Sequence, residues 1–77
     1  MENTDWYGKV VRWAHQQGGT ANAMEALGWD VARFDEGFAI ANELQNRDWV
    51  KLLYSNYNKN LVVVELTLLG QQQAERA

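Results

Sequence analysis

The sequence predicts a small α+β domain in which three helices precede a β-hairpin and a short C-terminal helix closes the chain. Three observations carry that prediction. Apolar residues recur at helical spacing from Trp6 to Leu44, Gly18-Gly19 and Gly28 cut that stretch into three pieces, and the period falls to two after Asp48. The 77 residues read as one domain, 1–77, with an ordered core of about 4–70 and a fraying tail at 71–77.

The opening helix runs from Thr4 or Asp5 to about Gln17. Either residue can accept a hydrogen bond from a free N–H of the first turn, and Gly18 can take the left-handed stop. Trp6, Val10, Trp13 and Gln17 form one stripe, and Tyr7, Val11 and Ala14 its neighbour, giving a wide apolar face. The second piece starts at Thr20 as N-cap and ends at Leu27, before Gly28, with Ala23, Met24 and Leu27 turned inward. Asp30 caps the third, and Trp29 and Phe34 are spaced as a hydrophobic staple. Phe34, Phe38, Ala41 and Leu44 repeat along it, with Val31 and Gly37 on the same side, until Arg47-Asp48. Glycine inside a helix costs about 1 kcal/mol relative to alanine, which implies that another backbone approaches closely at Gly37.

Trp49 to Tyr57 is rich in aromatic and branched residues, Asn58-Lys59-Asn60 is turn chemistry, and Leu61 to Leu66 holds three consecutive valines. On simple alternation Val50, Leu52 and Tyr54 share one face, and Val62, Val64 and Leu66 share one face of the return strand. Thr67 can cap the final helix, which runs to about Glu75.

Four Trp, three Tyr and two Phe give a short chain a large apolar area, and the absence of Cys removes disulfides and thiolate metal sites. Packing, with or without self-association, must hold the fold together. A cysteine-free chain suits a reducing compartment, the first residues lack a secretory pattern, and Leu61–Val64 is too short to cross a bilayer. A cytoplasmic location with no membrane partner is therefore expected. No Gly-rich phosphate loop, nucleophile elbow or metal-ligand cluster is present, so neither enzymatic activity nor a cofactor is expected. His15, the only histidine, reads as a solvated residue near a helix C-terminus rather than as a metal ligand.

The order of elements, together with two junctions, resembles the winged helix-turn-helix family. Leu44-Gln45-Asn46-Arg47-Asp48-Trp49-Val50 resembles its passage from third helix to hairpin, with Asp48 where the family usually has Gly. Leu66-Thr67-Leu68-Leu69-Gly70 resembles its strand exit, and the likeness extends over roughly Asp5 to Ala74. It implies a DNA-binding, transcription-regulator-like protein whose third helix enters the major groove and whose hairpin wing meets flanking phosphates. Arg33, Asn46, Arg47, Lys51 and Lys59 are then the DNA-contact residues, and a homodimer is expected because two modules add their binding energies.

Charge opposes that role. The formal net charge is −3, whereas nucleic-acid binders are usually basic. With Phe34 and Phe38 inward, the outer face of the third helix carries Ala32, Asp35, Glu36, Ala39, Ile40, Glu43, Asn46 and Arg47, while Asn42 lies nearer the core. The alternative is an acidic protein-interaction module that binds no nucleic acid. Ile40, as a dry centre on that face, and the exposed members of the tryptophan set, Trp6 and Trp13, are its interface residues. Each has a plainer reading: Lys59 as a solubilising turn residue, Ile40 as a single exposed apolar side chain, and the tryptophans as core.

Overall fold

A computed structural model describes residues 5–76. Its four helices lie against a three-stranded antiparallel sheet of order β1-β3-β2. The first helix, α1 (Trp6–Gln16), starts where Asp5 accepts a hydrogen bond from the Gly8 N–H at 3.1 Å. Thr4, the other candidate cap, lies outside the described residues. Val10, Val11 and Ala14 are buried, Trp6, Tyr7 and Trp13 half-buried, and Gln17 exposed.

The segment after α1 departs from expectation. Thr20–Asn22 is a short strand, β1, and the cap of the second helix, α2 (Ala23–Leu27), is Asn22 rather than Thr20. Three residues are too few for a period to register in the sequence. The strand exists because a partner is waiting. Thr20, Ala21 and Asn22 pair with Glu65, Val64 and Val63, and the Leu66 N–H donates to the Gly19 carbonyl at 2.7 Å. Asn22 joins three elements at once. Its Oδ1 accepts from the N–H groups of Met24 (3.1 Å) and Val62 (2.9 Å), and its Nδ2 donates to the Asn60 carbonyl at 3.1 Å. Gly28, at φ 72°, ends α2 in the left-handed conformation that favours glycine.

Asp30 accepts from the Ala32 N–H at 3.0 Å and caps a 3-10 turn, Val31–Arg33, that leads into α3 (Phe34–Asn46). The buried side of α3 is Phe34, Gly37, Ile40, Ala41 and Leu44. The helix is therefore rotated from the expected setting. Ile40, placed on the outer face from sequence, is 7% exposed and belongs to the core, whereas Asn42 is exposed, Phe38 half-buried and Val31 38% exposed. The reason lies at Gly37, where the neighbour is the Met24 side chain rather than another backbone. The fully buried Met24 fills the space a Cβ would need, and a Cβ there would also stand 3.7 Å from Trp29. Centring the buried stripe on that notch brings Ile40 inward and moves Phe38 to its margin.

Asp48, at φ 65°, turns the chain into β2 (Val50–Asn56), and a 3-10 turn, Tyr57–Lys59, leads to β3 (Leu61–Leu66). Val50 and Leu52 face Leu66 and Val64, but a β-bulge between Leu52 and Tyr54 shifts the register, so that Tyr54 pairs with Val63. Tyr54 consequently leaves the face of Val50 and Leu52, which simple alternation assigned to all three. One extra residue reverses every later side chain of the strand.

Thr67 caps the last helix, α4 (Leu68–Arg76): its Oγ1 accepts from the Gly70 N–H at 3.0 Å and donates to the Asp48 carbonyl at 2.6 Å. Gly70 and Ala74 are buried, and α4 packs on α1. The helix ends one residue past the expected end near Glu75, and the small Ala74 is buried on its inner side.

Candidate interaction surfaces

Between Phe34 and Asn46, α3 contains Asp35, Glu36 and Glu43 and no basic residue. Arginines flank it, and both are engaged. Arg33 donates to Glu36 through Nε (3.0 Å) and Nη2 (3.3 Å), and its guanidinium lies 3.7 Å from the centre of the Trp29 ring. That hydrogen bond holds the Glu36 carboxyl below its ordinary range and raises the Arg33 pKa further. Arg47 donates to Glu43 at 3.1 Å and stands over the Tyr7 and Trp49 rings, 4.5 and 5.2 Å from their centres. Charge pairing and cation–π contact together fix both guanidinium groups within the chain.

The five residues expected to touch DNA do not converge. About 20 Å of helix rise separates Arg33 from Arg47. Asn46 is exposed at the last position of α3, Lys51 faces Glu65 across the sheet, and Lys59 is exposed at the hairpin end. That end is tethered: Asn60, at φ 55°, donates from Nδ2 to the Trp29 carbonyl at 2.9 Å while its own carbonyl accepts from Asn22. Trp6 is half-buried and edge-on to Trp29, with ring centres 5.1 Å apart. Trp13 is half-buried, and its indole N–H is enclosed without an acceptor among the described residues.

Two exposed apolar side chains, Val31 and Tyr57, lie where the start of α3 meets the hairpin. The two 3-10 turns, Val31–Arg33 and Tyr57–Lys59, pack against each other. Tyr57 is 58% exposed and stands edge-on to Phe34, with ring centres 5.3 Å apart, and Phe34 in turn stacks with Phe38. Val31, Asp35, Phe38 and Asn42 follow one another at helical spacing next to the Phe34 that Tyr57 contacts, so the Asp35 carboxylate interrupts a partly apolar face. No family model, curated protein or solved structure matches this chain.

A second feature shares no residue with that surface. Arg12, Arg47 and Arg76 line one open groove of about 300 Å³, together with Tyr7, Trp49 and Gln73. Sequence reasoning had selected Arg47 and overlooked the other two, because α1, the end of α3 and α4 meet only through tertiary packing. Among the described residues no group of three or more His, Cys, Asp or Glu side chains could hold a metal ion, and no helix is long and apolar enough to cross a membrane.

Proposed function

We propose that this chain is a protein-interaction module of winged-helix type that performs no chemistry. It meets its partner through the Val31–Phe38–Tyr57 surface. The element order, the left-handed turn at Asp48 and the cap at Thr67 support the winged-helix assignment. One observation carries the functional reading: α3 exposes carboxylates, and both flanking arginines are bound to its own glutamates. A helix of that charge repels phosphates, whereas an apolar centre with a charged border is the anatomy of a protein interface. The partner suited to it carries an apolar knob with a basic rim, since complementary charge steers and orients the encounter. Another protein fits better than a second copy, because a two-fold contact would set Asp30 and Asp35 against themselves.

DNA binding is the second reading, favoured by the exposure of Lys51, Lys59 and Asn46. A titration with nonspecific duplex at low salt separates the two. No retention is expected; retention that fades steeply as salt rises, and falls when Lys59 is changed to Ala, would establish the second reading instead. For the proposed surface, the V31S/Y57S double variant is expected to lose a salt-sensitive partner at least tenfold while keeping its fold. A partner that binds both forms equally would reject it.

A further inference from the structure

The groove lined by Arg12, Arg47 and Arg76 gathers three of the four arginines in a chain of net charge −3. Asp5 is the only carboxylate lining it among the described residues. Three separate helices or helix ends contribute one arginine each. From this convergence we infer that the groove is a binding site for a small ligand bearing a dianionic phosphate group.

The groove walls are held in place. Arg47 is fixed by Glu43 and by the Tyr7 and Trp49 rings, so little side-chain freedom remains to be lost when a ligand arrives. Among the described residues Arg12 makes one polar side-chain contact, 3.3 Å to Asp5 through Nη1. Both side chains cross Gly8: a Cβ at that position would collide with the Asp5 carboxylate and come within 2.7 Å of the Arg12 Nη1. Glycine in the first turn of a helix is a poor helix former, and at this position it keeps the floor of the groove open. Gln73 adds a neutral side chain that can donate to a phosphate oxygen.

Size and charge define the ligand class. About 300 Å³ is at the lower end for small-molecule sites, which suits a phosphate with a few attached atoms. Three guanidinium groups stand against Asp5 and against Glu43, which pairs Arg47, so one positive charge and several fork donors remain for a phosphomonoester carrying roughly −1.5 to −2 at neutral pH. Arginine forks match phosphate oxygens two at a time. This site lies apart from the Val31–Phe38–Tyr57 surface and does not depend on what that surface binds.

The test is a nuclear magnetic resonance titration of the full chain with glycerol phosphate, following the Arg side-chain Nε–H and Trp49 indole signals. Saturable shifts confined to the groove are expected. Arg12→Gln and Arg76→Gln should each raise the Kd at least tenfold, Arg76→Lys should raise it less, and Lys59→Gln should leave it unchanged. The Lys variant keeps the charge, so it separates ligand contact from any loss of fold. No saturable shift, or shifts of equal size in the Gln variants, would overturn the site. Duplex DNA shifting the same signals when glycerol phosphate does not would overturn the small-ligand assignment.

Discussion

Single residues hold the junctions of this chain. Asn22 caps α2, closes β1 onto β3 and ties down Asn60, so Asn22→Ala removes three hydrogen bonds and strands their partners. Loss of a helix cap together with an unsatisfied backbone group should lower stability by about 2–3 kcal/mol, measured by urea denaturation. At Gly70 the limit is space. A Cβ there would run into the Trp49 carbonyl, which is backbone and cannot swing aside. Gly70→Ala should therefore cost about 1–3 kcal/mol, or more if the base of the hairpin shifts. Glu36 offers a test through pH. Its carboxyl is held below the ordinary range by the Arg33 hydrogen bond, so the folded state binds its proton more weakly than the unfolded chain does. The resulting stabilisation is complete above the unfolded value of about 4.3 and is lost as pH falls through the lower folded value. Glu36→Gln should flatten that part of the stability–pH curve, and a chemical-shift titration of the carboxyl should give a midpoint below that of a free glutamate.

Elements were legible in the sequence to the extent that local signals specify them. The caps at Asp5 and Thr67 and the left-handed positions at Gly18 and Asp48 are short-range chemistry and appear where the residues pointed, while Asp30 caps the 3-10 turn ahead of α3 rather than α3 itself. What could not be read was anything decided by a distant neighbour. The strand at Thr20–Asn22 exists only through β3, the rotation of α3 is set by Met24, and the bulge that turns Tyr54 outward depends on pairing with Val63. The same limit hid the groove, whose arginines come from remote parts of the chain. A double-mutant cycle tests the α2–α3 contact. Gly37→Ala should destabilise by about 1–2 kcal/mol, because crowding against Met24 outweighs the gain in helix propensity. In a Met24→Ala background the same change should be neutral or favourable, a coupling that two independent sites would not show.

At the scale of the whole molecule, the core is small and every layer contributes to it. The α4 helix packs on α1 and buries Gly70 and Ala74, so truncation after Thr67 should abolish the cooperative thermal transition rather than trim a loose end. Circular dichroism on heating would decide this: a truncated chain that melts at the original temperature would mean that α4 is dispensable.

The hairpin is fastened at both extremities. Thr67 locks its base to Asp48, and Asn60 fixes its far end to Trp29 and Asn22. A strap buckled at each end cannot flex to follow a visitor's contour. Whatever docks there must already match it, so recognition should proceed as rigid-body fitting, with charge setting how fast a ligand arrives and discrimination residing in how long each complex survives.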